Sequence, residues 1–146
     1  MAKILIVYCS LGGNTEKAAK AIEKGAKDVP GTQVILKNAL EATIDDLINC
    51  DGLAIGTPDY FSYMAGGLKD FFDRTYYQAQ GKVTDKPCIV FMTHGGGGKA
   101  IESVEAMCER FKFKELIKPL LIKGKPDNKA EKQLKEAGRK LANILA

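Results

Sequence analysis

Short apolar runs alternate with amphipathic stretches along the whole chain, and this alternation limits the possible fold more than any other feature. Continuous apolar runs are typical of strands inside a parallel sheet, and apolar residues at helical spacing are typical of the helices that cover it. Right-handed crossovers place those helices on both faces. The sequence therefore predicts an α/β protein with five strands, at Lys3–Tyr8, Thr32–Lys37, Gly52–Gly56, Pro87–Thr93 and within Glu115–Lys123.

Five helices are predicted between and after these strands: at about Asn14–Lys27, at Thr43–Asn49, through Leu68–Thr75, through Ile101–Phe111 and from Asp127 or Asn128 onward. The 146 residues suffice for a substantial core, so we expect a single domain over residues 1–146. No apolar run approaches the ~20 residues that cross a bilayer, and a strand begins at once without a signal peptide. We therefore expect a cytoplasmic protein that engages no membrane.

Positive charge is concentrated towards the C-terminal end. The chain has 22 Lys and Arg residues against 18 Asp and Glu, which gives a net charge of +4. Ten of the basic and four of the acidic residues lie between Lys112 and Lys140, so this stretch carries +6 and the remainder −2. Two explanations stay open: a solvated basic face, which is the default, and steering towards an acidic redox partner or an anionic substrate. Nucleic acid is disfavoured as a partner, because stacking aromatic residues are not interleaved with the basic ones.

The cysteines do not form a metal-binding pattern. Cys9, Cys50, Cys88 and Cys108 have no C-x-x-C spacing, and most of them lie in apolar segments. We therefore expect buried thiols in a reducing compartment rather than a disulfide framework. The chain has one histidine, so no metal site is expected.

A turn with two glycines follows the first predicted strand, in the segment Ser10–Thr15. Glycines allow successive N–H groups to face one point, and the start of a helix leaves further N–H groups unpaired. Such a turn suits a phosphate group, with the hydroxyls of Ser10 and Thr15 as additional donors. From the turn alone, the alternative that Asn14 or Thr15 only caps a helix stays equally open.

The turn does not match three better-known anion-binding patterns. It lacks the Gly-Lys-Ser/Thr of a Walker A loop. The G-x-G-x-x-G spacing of dinucleotide-binding proteins is also absent, and the second strand ends in Lys37-Asn38 rather than in an acidic residue. A phosphatase loop of the Cys-x5-Arg type would need an arginine where Thr15 stands.

Two further loops follow the third and fourth predicted strands. The first has three aromatic residues behind Pro58, which suggests that at least one of Tyr60 and Phe61 stacks on a flat ring. The alternative is an apolar plug over the next helix. The second is the run Gly95–Gly98, which lets a planar ligand reach the backbone; the alternative is a flexible turn. If strand one lies between strands two and three, all three loops meet at the carboxyl edge of the sheet, where such proteins bind ligands.

With these three loops in this order, the sequence resembles the flavodoxin-like FMN-binding family, which includes flavodoxins and NAD(P)H:quinone reductases of the tryptophan-repressor-binding-protein type. The resemblance covers nearly the whole chain. Tyr8–Thr15 is similar to the family's FMN-phosphate loop, Gly56–Gly66 to its isoalloxazine loop and Thr93–Gly97 to its second flavin loop. It implies a doubly wound five-stranded parallel sheet of order 2-1-3-4-5, with helices on both faces and FMN as the cofactor.

The resemblance also implies which residues bind the cofactor, in three groups: Ser10, Leu11, Gly12, Gly13, Asn14 and Thr15 at the phosphate; Pro58, Asp59, Tyr60 and Phe61 at the ring; Thr93, His94, Gly95, Gly96 and Gly97 at the pyrimidine side. It assigns no catalytic side chain. The sequence departs from the family at Asp59, where a small neutral residue is usual, and at Ser62-Tyr63, which replaces a Gly-Asn pair.

Asp59 and His94 carry separate expectations. A carboxylate ~7 Å from a reduced, anionic flavin costs about 2.4 kcal/mol at an effective dielectric constant of ~20, so replacing Asp59 by threonine is expected to raise the flavin potential. If the carboxylate faces solvent, screening removes most of this effect. His94 either donates to the N1/O2 edge of the flavin or lies in solvent, and the sequence leaves both open.

The resemblance leads to two functions. An electron carrier between redox partner proteins is favoured, because Lys37 leads through Thr43–Asn49 to the third strand without the inserted segment of the tetrameric quinone reductases. The alternative is an NAD(P)H-dependent quinone or flavin reductase, which the basic charge and the Pro58–Met64 segment favour. A ligand-free receiver module fits poorly, because the acidic residues that it needs after strands one and three are absent. We expect a monomer or a dimer.

Overall fold

Seven strands and five helices follow one another in the structure, a computed structural model that describes residues 1–146. The strands are β1 (Lys3–Tyr8), β2 (Gln33–Asn38), β3 (Gly52–Tyr60), β4 (Tyr63–Met64), β5 (Pro87–His94), β6 (Lys114–Glu115) and β7 (Leu120–Lys123). The helices are α1 (Asn14–Lys27), α2 (Ile44–Asn49), α3 (Gly66–Ala79), α4 (Ile101–Phe111) and α5 (Asn128–Leu145).

The sheet has the first strand near its middle. β2, β1, β3 and β5 lie side by side and parallel, and both β6 and β7 pair with the far side of β5. In this register Leu5 of β1 lies between Ile35 of β2 and Leu53 of β3. With β6 and β7 counted as one interrupted strand and the short β4 set aside, the predicted order 2-1-3-4-5 is confirmed. The fold is flavodoxin-like.

Two features differ from the predicted strands. β3 continues past Gly56 to Tyr60 and then turns back into the antiparallel β4, which is too short to give a periodic signal. The fifth strand is interrupted between Glu115 and Leu120. That gap contains Pro119, which has no N–H to donate to a strand ladder.

The sheet separates two apolar layers. One layer joins it to α3 and α4 and includes the fully buried rings of Phe71 and Phe72. The other layer joins it to α1 and α5 through residues such as Ile22 and Leu141. Because β1, β3 and β5 are covered on both faces, the central residues of these strands are mostly apolar and buried.

α1 and α5 approach each other closely through two glycines. A Cβ atom added at Gly25 would lie 1.9 Å from the carbonyl oxygen of Lys135, and one added at Gly138 would lie 2.2 Å from that of Ile22. No real side chain tolerates such distances to a backbone atom, so glycine is needed at both positions for this approach. The contact fixes α1, whose N-terminal end forms part of the candidate site.

The four cysteines are free thiols, and all of them are buried, as the sequence predicts. Burial raises the pKa of the Cys50 thiol to about 11. None of the five helices has the length and apolar character needed to span a membrane.

Candidate functional site

The loop between β1 and α1 leaves several N–H groups without a partner. Gly13, directly before α1, has a φ of +99°, a left-handed conformation that favours glycine. The Ser10 hydroxyl oxygen accepts hydrogen bonds from the N–H groups of Gly13 (3.1 Å) and Glu16 (3.3 Å). Five N–H groups of this segment make no hydrogen bond within the chain, those of Ser10, Leu11, Gly12, Asn14 and Thr15. These donors at the N-terminal end of a helix suit an anion.

A buried hydrogen bond connects this loop to the end of β5. The hydroxyl oxygens of Thr15 and Thr93 are 2.7 Å apart, and both residues are buried. One hydroxyl donates to the other, so the pair keeps a single proton for a further acceptor. The loop of Ser10–Thr15, called the phosphate-type loop below, is therefore held next to the strand end that leads into Gly95–Gly98, called the glycine loop.

The Asp59 carboxylate shapes the turn after β3. Its Oδ1 accepts the N–H of Ser62 at 2.9 Å, and its Oδ2 accepts the N–H of Ala100, next to α4, at 3.3 Å. Phe61 and Ser62 have φ values of 59° and 63°, left-handed conformations that are uncommon outside glycine. Such conformations persist where the surrounding structure holds them. The carboxylate therefore supports a strained turn and joins it to α4.

The aromatic residues of this turn lie in different environments. Tyr60 is half-buried and packs against the apolar layer on the α3 side. The Phe61 side chain is fully exposed, and Tyr63 is 45% exposed. Of the two rings considered for stacking on a flat ligand, the structure places Tyr60 at the cavity described below and Phe61 outside its lining.

The loop after β5 presents bare backbone. The N–H groups of Gly95–Gly98 make no hydrogen bond within the chain. A Cβ added at Gly95 or Gly96 would meet no atom within 4 Å, so there is open space beside both residues. The Nδ1 atom of His94 is buried and has no hydrogen-bond partner. A buried polar atom without a partner in this position is consistent with a ligand that supplies one.

The three loops enclose a cavity of about 240 Å³ at the carboxyl edge of the sheet. Its lining contains ten of the predicted cofactor residues: Ser10, Gly12, Asn14, Thr15, Pro58, Asp59, Tyr60, Thr93, His94 and Gly95. Five predicted residues are not in the lining: Leu11, Gly13, Phe61, Gly96 and Gly97. Of these five, Leu11 and Phe61 expose their side chains to solvent.

One residue of the lining, Gly124, was missed. It follows β7, has a φ of +71°, and donates its N–H to the carbonyl oxygen of His94 at 2.9 Å. A signal was present, because Gly124 follows the fifth predicted strand just as the other site loops follow theirs. The interruption of that strand obscured where it ends.

Tyr8, the last residue of β1, donates its hydroxyl to Glu16 Oε2 at 3.0 Å. Burial, followed by the hydrogen bond and negative charge of Glu16, raises the pKa of Tyr8 to about 12. This bond ties the first turn of α1 to the strand that precedes the phosphate-type loop.

These features fit FMN. The unpaired N–H groups before and within the first turn of α1 suit a phosphate dianion without any cationic side chain. The open space beside Gly95 and Gly96 allows a planar ring to approach unpaired backbone donors, and Tyr60 supplies an aromatic wall.

Comparisons with known proteins agree that the chain is an FMN-binding protein. The family model for NADPH-dependent FMN reductases matches residues 31–113. A flavodoxin from Aquifex aeolicus (strain VF5) is 29% identical over an alignment of 163 residues, which covers 100% of this chain and 88% of that protein. Among solved structures, a flavodoxin from the domain Archaea superposes with a TM-score of 0.88 at 24% identity, covering 98% of each chain. Oxidised flavodoxin 1 from Bacillus cereus superposes with a TM-score of 0.86 at 16% identity, covering 99% of this chain and 100% of that one.

A parallel sheet of this order, with unpaired N–H groups in the loop after β1 and open space beside the loop after β5, is that of a flavodoxin-like FMN-binding protein. The family match extends over more than half of the residues and includes the aromatic turn. The chain belongs to the NADPH-dependent FMN reductase family, and its cofactor is FMN.

Proposed function

We propose that the protein is an electron carrier of flavodoxin type, which passes electrons between redox partner proteins. Bound FMN supplies the chemistry, since it accepts and donates electrons singly or in pairs. The observation that carries the proposal is the extent of the likeness: the flavodoxin from Aquifex aeolicus aligns with the whole of this chain. The family model for the reductases, by contrast, matches a central part of it.

The connection between β2 and β3 supports the same proposal. β2 ends at Asn38 and β3 begins at Gly52, and the connection between them contains only the six-residue helix α2. The quinone reductases that the sequence resembles carry an inserted segment here, which builds their tetramer.

The residues of the cavity then have separate tasks. We assign the phosphate to the N–H groups of Leu11, Gly12, Asn14 and Thr15, because they have no acceptor within the chain. The Ser10 hydroxyl joins them, because it accepts two hydrogen bonds and keeps its own proton for the phosphate. We assign the ring to the space between Tyr60 and the glycine loop. His94 is assigned to the pyrimidine edge, since its buried Nδ1 lacks a partner. Asp59 holds the aromatic turn in place.

The second candidate is an NAD(P)H-dependent quinone or flavin reductase. The family match favours it, because the matched residues include the Pro58–Met64 turn and the glycine loop that would surround a flavin ring. The net charge of +4 also favours it, since reduced pyridine nucleotides are anionic.

Two measurements distinguish the carrier from the reductase: an anaerobic redox titration and an NAD(P)H turnover assay. The FMN-loaded protein is reduced stepwise at controlled potential and followed by its visible spectrum, and a second sample is mixed with NADH or NADPH and benzoquinone. Two resolved one-electron steps without pyridine-nucleotide oxidation are expected of the carrier. Rapid NADH or NADPH oxidation, together with a single two-electron step, would contradict the carrier function and support the reductase function.

A further inference from the structure

The fold converts the uneven charge of the sequence into a charge difference across the sheet. Residues 37–51, which form the end of β2 and α2 at one edge, contain four carboxylates and one lysine, a net charge of −3. Residues 112–140 carry +6 and include β7 at the opposite edge and most of α5, which packs against α1 on one face of the sheet and borders β7 with its other side. The FMN cavity lies between these edges, at the ends of β1, β3 and β5.

Most of the positive charges in residues 112–140 are not paired within the chain; the exception is Arg139, which makes ion pairs with Asp28 and Glu136. Eight exposed lysines of residues 112–140 make no ion pair or side-chain hydrogen bond. Lys112 and Lys114 lie at the amino end of β6, and Lys129 lies in the first turn of α5. The other five are Lys118, Lys123, Lys125, Lys132 and Lys140. Elsewhere several cations are paired, such as Lys37 with Asp46 at 2.9 Å and Lys17 with Glu131 at 3.3 Å. We call the latter group of five lysines and the surface between them the basic edge.

The basic edge contains a groove and reaches the FMN cavity. A groove of about 560 Å³ between β7 and α5 is apolar on its β7 side, at Pro119, Leu120 and Leu121. Its α5 side is mainly polar, with two lysines and one carboxylate, Glu136. Leu121 is 49% exposed, and its Cδ1 would lie 3.6 Å from a Cβ at Gly98 in the glycine loop. Lys123 pairs with His94 in the sheet, and the next residue, Gly124, lines the cavity.

We propose that the redox partner is a protein with an acidic contact surface and that it docks on the basic edge, with apolar side chains in the β7–α5 groove. This inference rests on the proposed carrier function and specifies its partner. Unpaired cations attract a carboxylate-bearing surface, and the apolar β7 side of the groove provides contact once it has arrived. The negative opposite edge repels the same surface, so the partner approaches from the glycine-loop side of the cavity.

The inference is tested by the oxidation of the reduced, FMN-loaded protein in an anaerobic stopped-flow instrument. The oxidants are ferricyanide, an anion, and hexaammineruthenium(III), a cation. Each accepts one electron, so the fully reduced protein consumes two equivalents of either and releases its protons to the buffer. Poly-L-glutamate serves as a competitor with the chemistry of the expected partner.

The test variant is Lys123→Glu/Lys125→Glu, and the matched control is Lys82→Glu/Lys114→Glu. The control lysines are exposed and lie near the amino ends of β5 and β6, at the other end of the strands, and the change in net charge is identical. At low ionic strength we expect the test variant to react with ferricyanide at least about threefold more slowly than the control variant. It should react with the ruthenium complex faster than the control variant does. Poly-L-glutamate is expected to slow the ferricyanide reaction of the original protein and of the control, but not that of the test variant.

Equal rates in the two variants would overturn the basic edge as a docking surface while leaving the carrier function intact, because electron transfer would still proceed. Competition by poly-L-glutamate that is unchanged in the test variant would also overturn it. A failure of the carrier itself is recognised separately, as NADH or NADPH oxidation in the turnover assay, and would remove both proposals.

Discussion

At the scale of single residues, Asp59 combines a structural and an electrostatic role. Its carboxylate accepts two backbone N–H groups, one from the turn and one from the start of α4, and it also lines the cavity. The sequence left open whether this charge faces the flavin or the solvent. The structure gives a third arrangement, in which the charge is held at the cavity by backbone donors that partly offset it.

Replacing Asp59 by asparagine is expected to raise the one-electron potential of the flavin. Asparagine keeps an acceptor for the N–H of Ser62 and removes the negative charge, whereas threonine would remove both. At ~7 Å and an effective dielectric constant of ~20, the upper limit is about 2.4 kcal/mol, or roughly 100 mV. The measurement is a spectroelectrochemical titration, with Asp73→Asn as the control at an exposed position of α3. An unchanged or lower potential in Asp59→Asn would contradict the electrostatic argument.

Tyr8 is expected to make the stability of the protein fall at high pH. Its pKa in the folded state, about 12, is higher than the ordinary value of 10, so the folded state holds this proton more tightly than the unfolded state. The stabilisation is complete below pH 10 and is lost as the pH rises towards 12, a change of about 2–3 kcal/mol in the free energy of unfolding. Urea unfolding between pH 9 and pH 12 measures it.

The Tyr8→Phe variant isolates this effect, because it lacks the titrating hydroxyl. Its free energy of unfolding should decline less over the same pH interval. Tyr77→Phe removes an exposed hydroxyl and serves as the control. Parallel pH profiles for the original protein and Tyr8→Phe would rule out the Tyr8–Glu16 contact as the cause.

At the scale of secondary-structure elements, the α1–α5 contact is expected to be the packing feature most sensitive to one added carbon. In Gly138→Ala the new Cβ would lie 2.2 Å from the carbonyl oxygen of Ile22, so the two helices must move apart. We expect a loss of about 1–3 kcal/mol in the free energy of unfolding, despite the gain of ~1 kcal/mol in helix propensity. Gly66→Ala is the matched control, because nothing lies within 4 Å of a Cβ there. Equal stabilities of the two variants in urea would show that the helices adjust without cost.

The sequence predicted the elements best where one local signal dominated. The bounds of β1 and α1 agree with the prediction, because an apolar run ends at the glycine turn and the helix pattern begins beside it. β4 was missed, since it forms only because β3 extends and turns back through Phe61 and Ser62. The interruption of the fifth strand had a local signal in Pro119, but the two short pieces on either side of it are recognised as strands only through their pairing with β5.

The candidate site was predictable to a similar degree. Ten of the fifteen predicted cofactor residues line the cavity, because most of the turns that follow the strands are visible in the sequence, whereas Gly124 was missed. The contacts between distant segments were not predictable, among them the Thr15–Thr93 hydrogen bond and the bond from Ala100 to Asp59. Each joins segments that are far apart in the chain, and only the completed sheet order brings them together.

At the scale of the whole molecule, FMN is expected to stabilise the fold more than riboflavin does. The two ligands share the ring and differ in the phosphate, for which the N-terminal end of α1 provides unpaired donors. We expect FMN to bind at least about tenfold more tightly, equivalent to ~1.4 kcal/mol, and a ligand at 100 times its Kd to add about 2.7 kcal/mol of stability. Thermal unfolding over a range of ligand concentrations measures both affinities. Inorganic phosphate should compete with FMN but not with riboflavin, and equal affinities would contradict the assignment of the phosphate.

No lysine or arginine lines the cavity, although the protein as a whole is basic. A phosphate held by backbone amides keeps its own charge of about −2, so loading with FMN lowers the net charge of the molecule from +4 to about +2. In the assignment proposed above, the phosphate is held by hydrogen bonds from backbone N–H groups rather than by cationic side chains, so we expect dissolved ions to weaken its binding little. The yellow holoprotein should therefore leave a cation-exchange column earlier in a sodium chloride gradient than the colourless apoprotein, and it should keep its colour throughout the elution.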